Sequence, residues 1–184
     1  MIRINKELLG YMRRLHAKDA RFVSKLSFKP EQQIIMQGKN IFSAYVLSEG
    51  IAKCYQTEDT GKDFIQEFFG PGEIFGEIEI INGTPSFCCI ETITDASVYQ
   101  ISLDSFRHLL DTDKKFNQLI LMAMANKINY TALRHAYHQS HTGLANFQRL
   151  KKQFPQLTEV IAKKDLANYL GITIRTLNRI LKGV

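Results

Sequence analysis

The chain has 184 residues, 45% of them hydrophobic, which is enough to bury one sizeable core and a second, smaller one. Its apolar runs fall short of the roughly 20 residues that span a bilayer, and its N-terminus lacks a signal peptide's apolar stretch, so we expect a cytoplasmic protein with no membrane partner. Its net charge of +6 is uneven: residues 1–133 carry 15 Lys+Arg and 16 Asp+Glu, whereas residues 134–184 carry 9 and 2.

A helix and then a series of short strands are predicted for the N-terminal half. Apolar residues at three- and four-residue steps favour a helix over 5–21. From 22 to 101, runs rich in β-branched and aromatic residues alternate with glycine-containing turns, which is typical of an antiparallel barrel or jelly roll. The predicted strands are QQIIMQ, SAYVLSE, IAKCYQTE, DFIQEFF, SFCCIETI and ASVYQIS.

A long helix is predicted next. Ser102 is a good N-cap for SLDSFRHLL, and neither Pro nor Gly interrupts the chain between Asp113 and His141. That second run would span roughly 40 Å at about 1.5 Å per residue. One stripe along it resembles a coiled-coil seam and contains Leu119, Met122, Asn126, Asn129, Leu133 and Ala136. A neighbouring stripe contains Phe116, Ile120, Ala123, Tyr130 and Tyr137.

Two stripes on one helix suggest two packing partners. We expect the second stripe to cover the chain's own barrel and the first to contact another copy, which predicts a homodimer. Because two asparagines weaken the seam, a wholly intramolecular helix is the alternative interpretation.

The C-terminal segment predicts a helix-turn-helix. A helix LANFQRLKKQF stops before Pro155, and KKDLANYLGITIRTLNRILKG then holds two helical patterns. Gly171 between them can take the left-handed conformation that ends the first helix, and Thr173 can cap the second. A small Ala167 permits the helices to cross closely. The apolar wedge between them contains Leu166, Leu170, Ile172, Leu177 and Ile180.

The charge of this segment favours double-stranded DNA as a partner. Residues 134–184 have a net charge of +7, that is 9 − 2, and cations that pair with phosphates release condensed counterions. We expect 173–182 to be the recognition helix, with its Arg, Asn and Ile side chains contacting base edges. The candidate DNA contacts are Thr173, Ile174, Arg175, Thr176, Asn178, Arg179, Lys182, Lys163 and Lys164. The last two are expected on phosphates.

The cysteines and histidines show no signature of a metal centre or an enzyme. Cys54, Cys88 and Cys89 lack zinc-ligand spacing and are fewer than the about four thiolates of an iron–sulfur cluster, so we expect reduced thiols in strands. Three histidines at 135, 138 and 141 could share a metal ion, although a solvated helix end is the simpler interpretation. We therefore predict no catalytic residue, metal or bound cofactor.

Two segments resemble the cyclic-AMP receptor and fumarate–nitrate regulator (Crp/Fnr) family of transcription regulators. FFGPGEIFGEIEIINGTPSF is similar to the family's phosphate-binding cassette, and TLNRILKG is similar to its recognition helix. With the elements above, the resemblance implies an α+β fold. An antiparallel β-roll sensor domain of the cyclic-nucleotide-binding type (1–112) is joined by a dimerisation helix (113–140) to a helix-turn-helix domain (141–184). It also implies a dimer on an inverted-repeat operator, with Arg179 at a position where the family holds arginine.

The cassette departs from the family's pattern at one charged position. Glu77 and Pro85 match, but Ser86 stands where the family's cyclic-nucleotide binders hold an arginine that pairs with the cyclic phosphate. A neutral hydroxyl cannot replace that charge, so we predict that cyclic AMP does not control this protein. Candidates for an effector pocket are Phe75, Gly76, Glu77, Ser86, Phe87 and Cys88. An unidentified small-molecule effector and RNA polymerase remain open as further partners.

The end of the chain is a second departure. The sequence stops at Val184, directly after the predicted recognition helix, which predicts a short form without the family's C-terminal wing. The alternative interpretation is a ligand-binding sensor or interaction module whose helix-turn-helix is vestigial. Because phosphate contacts weaken as salt rises, salt dependence separates the two.

Overall fold

The computed structural model describes residues 2–183, so the predicted domain ends at Met1 and Val184 lie outside the described residues. The strands are β1 (Ile2–Arg3), β2 (Ser24–Phe28), β3 (Gln33–Ile35), β4 (Ser43–Glu49), β5 (Ala52–Thr57), β6 (Asp63–Phe69), β7 (Ile74–Phe75), β8 (Cys89–Thr92) and β9 (Ala96–Ser102). The helices are α1 (Lys6–Lys18), α2 (Glu77–Asn82), α3 (Leu103–Thr112), α4 (Lys114–Ser140), α5 (Gly143–Gln153), α6 (Leu157–Val160), α7 (Lys163–Leu170) and α8 (Ile174–Lys182).

The strands form two sheets that pack face to face. One sheet has the order β1-β6-β5-β8-β3 and the other β2-β9-β4-β7. Every pairing is antiparallel except β1 with β6. Residues from both sheets share the core between them, among them Ile35, Leu47, Phe69, Ile90 and Val98. The predicted α+β fold with an antiparallel roll is confirmed.

Two segments of the roll differ from the sequence prediction. The segment 24–28 was not among the predicted strands, yet it forms β2 through five consecutive pairings with β9, with four of its five residues exposed. The predicted strand SFCCIETI is shortened, since β8 begins only at Cys89. Before it, Ser86 exchanges backbone hydrogen bonds with Gly38 and Lys39 in a loop.

Helices cover the outer face of the four-stranded sheet. Alternate residues of β4 and β9, such as Val46 and Ile101, point away from the roll and pack against α1, α3 and the first part of α4. The side chain of Asp113 caps α4, accepting hydrogen bonds at 2.9 Å from the backbone N–H groups of Lys115 and Phe116. The helix then runs uninterrupted to Ser140, and within 2–183 no helix is both long and apolar enough to cross a membrane.

The C-terminal helices pack on the opposite side, against the outer face of the five-stranded sheet. Tyr55, Ile65, Phe68 and Cys89 of that sheet share a core with α5, α7 and α8. The helical residues of this core include Phe147, Leu150, Leu157, Leu166, Leu170 and Leu177. The helix-turn-helix is therefore held on the roll by apolar burial.

Candidate nucleic-acid interface

The turn between α7 and α8 has the geometry that the sequence predicts. Gly171 has φ 65°, in the left-handed region, and its N–H donates to the carbonyl of Asn168 at 3.2 Å. A side chain there would meet nothing within 4 Å, so backbone conformation rather than space favours glycine. The hydroxyl of Thr173 accepts a hydrogen bond at 3.0 Å from the N–H of Thr176 and so caps α8. Gly171 therefore ends α7, and Thr173 begins α8.

The predicted apolar wedge packs between the helices. Leu166 and Leu177 are completely buried and Ala167 is 1% exposed, which lets α7 and α8 approach closely. Ile172 and Ile180 lie at the edge of the same cluster and are partly buried. Burial of one face of α8 forces its opposite face outward.

The outward face of α8 is cationic. Ile174 is 46% exposed, and Thr173, Arg175, Arg179 and Lys182 are also exposed. Thr176 and Asn178 are half-buried. None of the three cations forms an ion pair with another described residue. The face can therefore meet an anionic partner without breaking internal contacts.

The two lysines at the start of α7 differ in their surroundings. Both are exposed, but Nζ of Lys164 lies 3.7 Å from a carboxylate oxygen of Asp63 at the start of β6. Lys163 forms no ion pair with a described residue. Lys164 therefore faces the roll, and an exposed pair at this distance costs little to separate.

Polar contacts that the sequence did not reveal fix the helix-turn-helix on the roll. The ammonium of Lys53 on β5 lies 3.0 Å from Asp165 of α7 and 3.1 Å from Glu91 of β8. Burial alone would lower the pKa of Lys53, but its hydrogen bonds to Asp165 and Glu91 raise that pKa above its ordinary value. Their spacing along the chain gave no signal, because lysines and carboxylates at these separations are typical of any surface.

Arg134 of α4 makes a second link between the roll and the helix-turn-helix. Its guanidinium donates to the carbonyls of Ile65 at 3.0 Å and Tyr169 at 3.1 Å, and lies 4.1 Å from the centre of the Tyr169 ring. The hydroxyls of Tyr130 and Tyr169 are 2.7 Å apart. Arg134 thus joins the roll, the long helix and α7.

A cleft of about 310 Å³ opens beside Arg134, between β6, α4 and the turn of the helix-turn-helix. Its walls include Phe64, Thr131, His138 and Tyr169. Burial, followed by the positive charge of nearby Arg134, lowers the pKa of His138. Within residues 2–183 there is no cluster of three or more His, Cys, Asp or Glu side chains that could hold a metal ion.

The predicted dimer seam on α4 is wrong at its first position. Leu119 is only 3% exposed because α1 and the four-stranded sheet bury it in the chain's own core. The later positions are exposed: Met122, Asn126, Asn129, Leu133 and Ala136. Leu121 and Ile128 are 62% and 70% exposed, which adds two large apolar side chains that the seam prediction omitted. Of the other predicted stripe, Phe116, Ile120 and Ala123 lie in the core and Tyr130 lies against Arg3 of β1, whereas Tyr137 packs against Arg149 of α5.

The cassette residues gather around a cavity of about 40 Å³. Five of the six predicted residues line it, namely Phe75, Gly76, Glu77, Phe87 and Cys88. Ser86 is buried beside it, where its hydroxyl donates to the carbonyl of Cys88 at 2.8 Å and lies 3.1 Å from a carboxylate oxygen of Glu79. The predicted residues come together, but they enclose little space.

Lys127 of α4 binds two groups of the cassette region. Its ammonium lies 2.5 Å from Oε1 of Glu77 and donates to the carbonyl of Ile74 at 2.5 Å. Glu77 is completely buried. The carboxylate that would be available to a ligand is therefore engaged by the long helix, a contact that the sequence did not predict.

Comparison with known proteins finds a similar domain family, similar proteins and similar solved structures. Residues 25–113 match the cyclic nucleotide-binding domain family. The chain is 28% identical over 169 residues to the Anaerobic regulatory protein of Aggregatibacter actinomycetemcomitans, covering 85% of this chain but only 65% of that protein. It is also 24% identical over 158 residues to the nitrogen fixation regulation protein FixK of Rhizobium meliloti, covering 84% and 72% of the two chains. Among solved structures, the c-di-GMP responsive regulator CLP of Xanthomonas campestris is 17% identical, with a TM-score of 0.75 over 95% of this chain and 90% of that one.

Proposed function

We propose that this chain is a transcription regulator of the Crp/Fnr type that binds double-stranded DNA through α8. Its similarity to the two regulatory proteins named above supports this proposal. The observation that carries this proposal is the outward face of α8, which presents Arg175, Arg179 and Lys182 without an ion pair to any other residue among 2–183. A helix with that face fits the major groove, where arginine pairs with guanine through two hydrogen bonds. The relatives named above are regulators rather than enzymes, and we assign the chain no catalytic role.

We divide the candidate contacts by what they can reach. Arg175, Arg179 and the half-buried Asn178 lie on the groove side of α8 and are assigned to bases, with Ile174 against a thymine methyl. Thr173, Thr176, Lys182, Lys163 and Lys164 are assigned to the DNA backbone. Lys164 must leave Asp63 to do so, at little cost.

We further propose that two copies associate through α4. The exposed residues Leu121, Met122, Ile128 and Leu133 give α4 apolar surface that a second α4 would bury. Two α8 helices related by a two-fold axis would enter successive major grooves about 34 Å apart on an inverted repeat. In this arrangement residues 1–112 are the sensor, 113–140 the dimerisation helix and 141–184 the DNA-binding domain of a cytoplasmic protein.

We propose that no cyclic nucleotide binds the cassette. Its cavity of about 40 Å³ is far below the roughly 300–1,000 Å³ of ordinary small-molecule pockets, and Lys127 neutralises Glu77 from inside. The cleft beside Arg134 has about 310 Å³ and is the better position for an unidentified effector. Titration calorimetry with cyclic AMP should show no binding; a micromolar affinity would overturn this assignment.

The test of DNA binding is selection from random duplexes at near-physiological salt. We compare the wild type with Arg179→Ala and with Arg107→Ala, a matched control at an exposed arginine of α3. We expect an inverted repeat, unchanged for the control, and a loss of about 1–3 kcal/mol with relaxed sequence preference for Arg179→Ala.

The alternative is a sensor whose helix-turn-helix is vestigial, and the attachment of α7 to the roll through Lys53 and Asp165 is the observation that favours it. Recovery of no motif, with binding that disappears equally for all three proteins as salt rises, would support this alternative and contradict the proposed function.

A further inference from the structure

We propose that Cys54 and Cys88 form a dithiol site that hydrogen peroxide, or a hydroperoxide of similar size, oxidises to an intramolecular disulfide. This modification site goes beyond DNA binding and does not depend on it. The third cysteine, Cys89, takes no part.

The two sulfurs already lie next to each other. Sγ of Cys54 is 3.1 Å from Sγ of Cys88, and both side chains are buried between the two sheets. Cys54 lies opposite Ile90 in the pairing of β5 with β8, and Cys88 is two residues earlier on the same face. A disulfide has an S–S length of about 2.05 Å, so the sulfurs need to approach by only about 1 Å.

Cys89 is separated from this pair by the alternation of the strand. It lies opposite Tyr55 and packs in the other core, with the C-terminal helices. Its sulfur accepts a hydrogen bond at 3.3 Å from the backbone N–H of Gln37. The odd number of cysteines is thus one pair and one separate thiol.

A small oxidant has a place to react. Cys54 and Cys88 both line the cassette cavity of about 40 Å³, which is also lined by Phe87, itself 46% exposed. A cavity of roughly 10–15 Å³ holds one water, so this one accommodates a molecule of the size of hydrogen peroxide. It has no room for glutathione disulfide, which selects the class of oxidant.

The chemistry needs only the two thiols and one peroxide. Cys54 donates its hydrogen toward Cys88, and this hydrogen bond, followed by burial, raises the pKa of the Cys54 thiol well above its ordinary value. The sulfur of Cys88 accepts that hydrogen bond and is therefore assigned as the nucleophile: it attacks a peroxide oxygen and releases its own proton. The O–O bond breaks, Cys88 becomes a sulfenic acid, and the departing hydroxide takes the proton that Cys88 released to form water.

The second step closes the disulfide. The sulfur of Cys54 attacks the sulfur of Cys88, the S–O bond breaks, and water leaves with the proton of Cys54. In sum, two thiols and one hydrogen peroxide give one disulfide and two waters, with the sulfurs oxidised and the peroxide reduced. Because both thiols are buried, we expect this reaction to be slower than oxidation of an exposed low-pKa thiol.

The test is a cysteine map of the folded, full-length protein after exposure to hydrogen peroxide. The peroxide is removed, the protein is unfolded in guanidinium, and free thiols are alkylated with N-ethylmaleimide before mass spectrometry. We expect Cys89 alone to be alkylated, a peptide cross-linked between Cys54 and Cys88, and recovery of all three thiols after reduction. Alkylation of all three cysteines, a disulfide that contains Cys89, or cross-linking only between chains would overturn the proposal.

Two variants separate the steps. Cys89→Ser should form the same disulfide, whereas Cys54→Ser should stop at a Cys88 sulfenic acid, which dimedone labels when it is added as the oxidised protein is unfolded. Absence of this labelling in a Cys54→Ser protein that was folded during the oxidation would contradict the assignment of Cys88 as the attacking thiol. Circular dichroism establishes folding first, and if Cys54→Ser is unfolded the wild-type map decides alone.

Discussion

Replacing Lys127 with methionine tests the contact that joins the cassette to the long helix. Methionine keeps most of the length of the side chain and removes its charge. The Glu77 carboxylate, which is completely buried, then loses its cation, and the carbonyl of Ile74 loses a donor. The second carboxylate oxygen, Oε2, already lacks a hydrogen-bond partner among the described residues, so no other group is placed to compensate.

The expected cost is large for a single substitution. Removing one partner of a buried ion pair typically costs about 3–5 kcal/mol, because the remaining charge stays buried and unpaired. For a chain of 184 residues this corresponds to a fall in melting temperature of roughly 6–20 °C. Adding Glu77→Gln removes the orphan charge, so the double variant should be more stable than Lys127→Met alone.

Thermal and urea unfolding, followed by circular dichroism, measure these differences. Lys114→Met, at an exposed lysine of the same helix, is the matched control and should change the free energy of unfolding by less than about 0.5 kcal/mol. A loss below about 1 kcal/mol for Lys127→Met, or a double variant that is less stable than either single one, would refute the argument that this pair is buried and coupled.

Three further predictions follow from single contacts. Thr173→Ala removes the cap of α8 and should lower the free energy of unfolding by about 1 kcal/mol in urea titrations, with Thr173→Ser close to wild type. Ile128→Glu should yield a folded monomer by light scattering, whereas Leu119→Ala should keep the oligomeric state but cost about 2–5 kcal/mol; the reverse pattern would mean that the seam is assigned to the wrong residues. Backbone hydrogen bonds lower the pKa of Asp113, so its capping stabilisation is complete above the unfolded pKa of about 3.9 and is lost as pH falls through the lower folded value; Asp113→Asn should flatten this part of the stability–pH curve.

The helix-turn-helix could be predicted because its signals are local. A glycine at the hinge, a threonine three residues before the N–H that it caps, and a small residue at the crossing determine the turn within a few residues of chain. The strands with alternating apolar residues, such as β4, were recognised for the same reason.

The seam on α4 shows where local patterns fail. Seven-residue steps identify a stripe, but a straight helix drifts by about 20° per heptad against that repeat. Which part of the stripe faces the roll then depends on which side of α4 is packed against α1 and the sheet. They bury Leu119 and Ala123 but leave Met122 exposed, and nothing in the order of the residues states which side of α4 they cover.

The sequence by itself determined the order of the elements, the two ends of the recognition helix and the cationic character of its outer face, because propensity, capping and charge act over neighbouring residues. Only the tertiary structure decided that Lys127 closes the cassette, that Lys53 holds α7, that β2 is a strand and that Cys54 meets Cys88 rather than Cys89. These contacts join residues that are distant in the chain. Their free energy arises from burial and from pairing across the sheets. The type of a residue does not determine which distant residue it will contact.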